Sequence, residues 1–202
     1  MEHHWISPHF RSDFFGQRYP NGLSLEDKIT IFSDAVRGWQ LDVADRVLRN
    51  DRHSGFAALS IVFSYFEMIE RYRSGKWKYE HDSEERFKDG VASVFPHLAN
   101  AEAILTPLWR AVRNGMYHRA TTERGIVLDG EFKTAIALGG DGTTVEINPH
   151  FLVDELQKHF SRYVSELLDP DSSKNEQRTN FETVFDSWKK WGTASGGTAL
   201  TR

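Results

Sequence analysis

Apolar residues recur three and four positions apart over much of the chain, which is the spacing of one face of a helix. Ile29, Phe32, Val36, Trp39, Val43 and Val47 form the first such stripe, and Ser24 with Asp27 makes a capping-box pattern in front of it. This predicts a helix over about 25–49. Leu59, Val62, Phe63, Phe66 and Ile69 predict a second, stopping near Ser74-Gly75. Phe87, Val91, Val94 and Leu98 predict a third, opened by Asp82-Ser83 and bent or ended at Pro96. Thr106-Pro107 reads as a cap followed by proline at the first helical position, opening a fourth through Leu108, Val112 and Met116 towards His118. Asn148-Pro149 opens a fifth with the stripe Leu152, Leu156, Phe160, Val164 and Leu167, and Asp169-Pro170 ends it.

Between the fourth and fifth helices the period changes to two. Ile126/Leu128, Thr134/Ile136/Leu138 and Val145/Ile147 alternate with polar residues, separated by Asp129-Gly130 and Gly139-Gly-Asp-Gly142. A small antiparallel β-meander over about 125–148 is the expectation, with Gly139-Gly-Asp-Gly142 as a hairpin turn. The fold class is therefore mainly α, a helical bundle with this meander inserted before the closing helix. Residues 1–22 are aromatic but aperiodic and read as an arm lying on the domain. Residues 23–168 form the domain itself. Residues 169–202 read as a linker to about Arg178, a short amphipathic helix behind Thr179 and Glu182, and a disordered tail from Gly192.

The 202 residues are 39% hydrophobic, enough for one substantial core. There is no cysteine, so neither a disulfide nor a thiolate metal site is available. The start of the chain lacks a secretory pattern and no apolar run is long enough to span a bilayer, so a soluble, cytoplasmic protein with no membrane partner is expected. The formal charge of −4 argues against a broad positive field gripping duplex nucleic acid, though a small basic site is compatible with it.

The sharpest chemical feature is Arg113-Asn-Gly-Met-Tyr-His118 on the fourth helix. It resembles the HEPN superfamily, whose signature is an arginine, a polar residue, a short spacer and a histidine on a bundle helix. Arg113, Asn114 and His118 occupy those positions. The likeness extends loosely over residues ~55–168, as long helix, motif helix, short strands and closing helix. The resemblance implies a homodimer with facing motif helices, a composite pocket between them and, in active members, metal-independent RNA cleavage. It departs from the toxin subgroup with tyrosine two places beyond the motif histidine, because Ala120 stands there. Arg46 and His53 also fit the spacing, but Val47 replaces the polar residue and Asn50-Asp51 reads as a helix end.

The residue types suit that chemistry. A neutral imidazole, with a reference pKa near ~6.5, takes the proton from a ribose 2′-hydroxyl as it attacks phosphorus. An arginine grips the phosphate bidentately and offsets the growing charge. Asn114 would orient the phosphate or the ring, and Tyr117 or Trp109 would stack on a base if exposed. At ~100° per residue, Arg113 and His118 point ~140° apart on an ideal helix, so one helix does not make a tight pair. A distortion at Gly115 or a second subunit across a two-fold axis would complete the site.

Blander readings accompany these. Arg113 would pair with Glu67 or Glu70 while His118 ends its helix, leaving a non-catalytic dimerisation or ligand-binding module. No metal or cofactor is expected, since no His-x3-His or His-Glu-x2-His spacing occurs. The stripes containing Trp39, Phe63, Phe66 and Phe87 are expected in the core. RNA and an unidentified protein are the candidate partners beside a second copy.

Overall fold

The computed structural model describes residues 5–11, 22–76, 83–111 and 125–194, with side chains to residue 187. The chain is mainly helical, with two small sheets among the described residues. Strands β1 (Trp5–Ser7) and β2 (Phe10–Arg11) form an antiparallel hairpin, and Arg11 stacks over the Trp5 ring at 5.5 Å. This is the described part of the expected arm, and it lies on the first helix.

That helix begins as its local chemistry dictates. Ser24 accepts from the Asp27 amide, and the Asp27 carboxylate accepts from the Ser24 amide, opening α1 (Leu25–Val36). The helix then takes one wide turn with π geometry, Arg37–Leu41, and continues as α2 (Asp42–Asn50). A π turn admits an extra residue and shifts the phase of everything beyond it. The stripe therefore does not run on to Val43 and Val47. Leu41, Ala44 and Leu48 are buried in their place, and Trp39 is 50% exposed. The expectation that Trp39 belongs to the core is thus corrected.

The second helix is divided at Phe63 into α3 (Gly55–Val62) and α4 (Ser64–Ser74). It ends at Gly75, whose φ of 69° suits glycine. Helix α5 (Ser83–Val94) crosses α4 so closely that a Cβ on Gly90 would strike the Phe66 backbone. Helix α6 (Ala101–Arg110) starts six residues earlier than Thr106-Pro107 suggests, behind Asn100 in a left-handed conformation (φ 57°). Pro107 lies inside it rather than at its first position.

Strands β3 (Ile126–Leu128), β4 (Ile136–Leu138) and β5 (Val145–Ile147) fall where the alternation places them, but they are not a meander. The order is β3-β5-β4, with β3 parallel to β5 and β4 antiparallel to it. The cause lies in Asn148. Its side-chain amide donates to the carbonyls of Gly130 and Phe132 at 2.8 and 2.7 Å, holding the connection after β3 away from a tight hairpin. Its side-chain oxygen accepts from the amides of His150 and Phe151, capping α7 (Pro149–Leu168). Of these three strands, β4 and β5 alone are joined by a tight turn, Gly139–Gly142, where the Asp141 carboxylate accepts from the Thr143 and Thr144 amides. These bonds and the Thr144 hydroxyl hold that carboxyl far below the usual range.

Helix α8 (Asn175–Ala194) is longer than the short helix expected behind Thr179. Its start follows a 3-10 turn, Ser172–Lys174, capped by Asp171. Arg178 binds the carbonyls of Leu167 and Asp171, so most of the supposed linker is helix fastened to the end of α7. The disordered tail expected from Gly192 is corrected at its start, since the helix continues to Ala194, and the rest of it falls outside the described residues.

The core gathers around Phe32. Its ring meets Tyr72 at 4.2 Å, Phe181 at 5.4 Å and Phe160 at 5.5 Å, joining α1, α4, α8 and α7. Lys28, buried beside this cluster, reaches Glu182 at 2.6 Å and Asp186 at 2.9 Å. Burial works to lower its pKa, but these two carboxylates outweigh it and raise the value.

Candidate functional site

Arg113, Asn114, Tyr117 and His118 lie outside the described residues, which end at Ala111 on that side. What the structure gives is the helix leading to them. Ile104 and Leu108 of α6 are buried, and Trp109 packs on Phe87 with ring centroids 5.3 Å apart. Trp109 is therefore a core residue and not an exposed base-stacking platform. Of the two carboxylates considered as partners for Arg113, Glu70 is bound by Arg73 on its own helix at 3.3 Å. Desolvation raises the Glu70 pKa, with Arg73 opposing. The other Arg/His pair that fits the spacing is interrupted, since α2 ends at Asn50 and Asp51 is extended.

Four described histidines, at three places in the fold, have defined environments. His159 on α7 is buried, and its Nδ1 lies 2.8 Å from the Tyr65 hydroxyl. Burial lowers its pKa to about 4, so it is a neutral core group at neutral pH.

His53 and His150 border a cleft of about 280 Å³ floored by Leu48, Phe56 and Pro149. Arg52 Nε donates to His53 Nε2 at 3.0 Å, and Asp51 accepts from the His53 amide. In this contact the Nε2 lone pair of His53 is the acceptor. One guanidinium and two imidazoles around a small cleft could hold an anion and exchange a proton with it.

His9 sits in the turn of the β1/β2 hairpin. Asp34, on α1, accepts from the Ser7 hydroxyl at 2.5 Å, from the His9 amide at 2.9 Å and from His9 Nδ1 at 2.7 Å. Burial would raise the Asp34 pKa, yet the hydrogen bonds from Ser7 and His9 together lower it. Pro8 fills the space over Gly38 in the π turn, where any Cβ would collide with it. His9 Nδ1 meets the carboxylate, and His9 borders an open cleft of about 560 Å³ together with Thr30, Arg37 and Leu168. This arrangement orients an imidazole and also fastens the arm.

None of these three placements is readable from periodicity. Asp34 lies 25 residues from His9, and a polar residue on an amphipathic helix does not announce its partner. Ser7-Pro8-His9 is a turn signal, which indicates a local bend without saying what the bend clasps.

Among the described residues, no group of three or more histidine, aspartate or glutamate side chains is arranged to hold a metal ion. Among the same residues, no helix is long and apolar enough to cross a membrane. Comparison of the chain with protein-family models, with curated proteins and with solved structures finds no match in any of the three.

Proposed function

We propose that this chain is a HEPN-like, RNA-directed protein that cleaves RNA without a metal and acts as a homodimer. The observation carrying this reading is the sequence Arg113-Asn-Gly-Met-Tyr-His118, entered from α6 within a mainly helical fold. Support comes from the order of elements: with α5 between them, the divided helix α3/α4 precedes α6, and the short strands and closing α7 come after it, a layout compatible with the one the resemblance implies. In this reading His118 accepts the proton of a ribose 2′-hydroxyl. Arg113 holds the phosphate, Asn114 orients it, and Tyr117 offers a ring to a base. The second subunit brings the facing guanidinium and imidazole within reach of one phosphodiester.

The test is incubation of the purified protein with mixed RNAs in the presence of a chelator. Cleavage leaving 2′,3′-cyclic phosphate ends, lost in His118→Ala and Arg113→Ala, is the expected result. Undiminished cleavage by His118→Ala removes His118 from the chemistry, and absence of cleavage by the wild-type dimer rejects the nuclease reading.

A second reading, a non-catalytic ligand-binding module, is favoured by one observation. A cleft of about 740 Å³ with a mostly apolar lining runs beside β4.

A further inference from the structure

The groove beside β4 is bounded by three walls. One is the irregular segment 94–100, the second is residues 133–138, and the third is the face of α7 carrying Phe151, Glu155 and Lys158. Residues 133–138 border it consecutively. Side chains of a strand alternate between its two faces, so a wall made of successive residues is a strand seen along its edge.

The hydrogen bonds show which backbone groups that edge presents. The Asn148 amide donates to Ala135, and the Gly139 amide donates to Thr144. In the antiparallel register Ala137↔Glu146, bonded pairs occur at every second residue, so Ala135, Ala137 and Gly139 face β5. Ile136 and Leu138 therefore turn their N–H and C=O groups outward, into the groove. On β5, Val145 and Ile147 bond instead to Gly125 and Asp129 on the β3 side, which confirms the alternation. Beside this edge Phe151 is 43% exposed, an apolar seat for a side chain of whatever lies along the strand.

The rim carries a charge preference. Lys158 is paired with Glu155 at 2.8 Å, whereas Lys133, exposed at the entrance to β4, has no acidic partner among the described residues. An occupant with an acidic residue at the end nearest Lys133 would complete it.

We infer that this groove binds an extended peptide segment of a partner protein by strand addition to β4. The segment has apolar residues at alternate positions and an acidic end. Backbone bonds to Ile136 and Leu138 supply the pairing, Phe151 receives an apolar side chain, and Lys133 sets the preferred end. The inference holds whether or not the chain cleaves RNA. A three-residue edge gives few bonds, so binding is reversible rather than permanent.

The probe is a terminally blocked, fluorescent peptide, Asp-Thr-Val-Thr-Val-Thr-Asp, compared with its lysine-ended counterpart by anisotropy on the full chain. Saturable binding of the acidic peptide is expected, about tenfold tighter than the basic one, and Lys133→Glu should remove or invert that preference. Amide exchange of Ile136 and Leu138 should slow on peptide addition, with Ala137 unchanged because it is already bonded to β5. Leu138→Pro deletes one outward N–H without touching a β5 bond and should weaken binding. If that variant fails to fold, amide exchange on the native chain decides the matter. No saturable binding of the acidic peptide overturns the proposal, as does binding that leaves the Ile136 and Leu138 amides unprotected. A peptide-free dimer in which those two amides are already protected overturns it in favour of a second copy.

Discussion

His159 and His9 each engage a partner through Nδ1 at nearly the same distance, 2.8 Å to Tyr65 and 2.7 Å to Asp34, yet the two regions behave oppositely. His159 is enclosed beside the Phe32 cluster, where a positive charge would lose its water, so its partner is a neutral hydroxyl. The His9 side chain is 81% exposed, where charge is tolerated, and its partner is a carboxylate. The difference teaches that a histidine contact takes its meaning from the dielectric around it. The inner pair is a satisfied polar element of the core, and the outer pair is a clasp between the arm and α1.

The largest effect should come from breaking the inner region. Phe32→Ala removes the ring on which α1, α4, α7 and α8 converge, and urea denaturation should show a loss of about 3–5 kcal/mol. Asp34 lies on the same helix but outside that cluster, so its substitution should cost much less. Equal losses from the two would erase the distinction drawn between the regions.

Acid should separate them next. The folded-state pKa of His159 is depressed to about 4, whereas the unfolded chain binds a proton near the reference value of 6.5. Between those values the unfolded state holds more protons, so stability is complete above about pH 6.5 and declines as pH falls towards 4. The loss over that window should be on the order of 3 kcal/mol. His159→Gln, which can still bond Tyr65, should flatten the decline in denaturation curves taken across that range. An undiminished slope in the variant would place the titration elsewhere. Asp34 acts in the other direction of charge and lower in pH. Its depressed folded pKa contributes stability above the unfolded carboxylate value of 3.8 that is lost only as pH falls through the folded value.

The smallest effect belongs to the clasp. Asp34→Ala deletes the acceptor of three hydrogen bonds at a partly exposed site, and a cost of about 1–2 kcal/mol is expected. Limited proteolysis should cut the arm faster in the variant while the bundle resists as before. Unchanged arm cleavage would show that Pro8 over Gly38 suffices to hold it.

Features written in local chemistry were legible before the fold was known. The Ser24/Asp27 box, the stop at Gly75, the Asn148-Pro149 start and the Asp141 turn each depend on residues within a few positions of one another. Features set by tertiary contacts were not. Thr106-Pro107 carries the residues of a helix start, but Asn100 in a left-handed conformation begins α6 before it. The strand order depends on Asn148 binding a loop 16 to 18 residues away, and no alternation pattern encodes that. At the candidate sites, sequence drew attention to Arg113 and His118, whereas the His9 and Asp34 clasp emerges only when two distant segments meet.

The π turn at Arg37–Leu41 has a consequence for how this chain tolerates change. It works as a phase adjuster between two halves of one rod, letting both present their greasy sides inward although their spacing in sequence disagrees. Losing one residue there would restore a plain α-helix with Leu41, Ala44 and Leu48 still facing inward, whereas forcing all of its residues into α geometry would swing them about 100° around the axis, out of the interior. The same turn also exposes the bare backbone at Gly38 on which Pro8 rests, so the irregularity that sets the rotation of α2 also makes the seat for the arm.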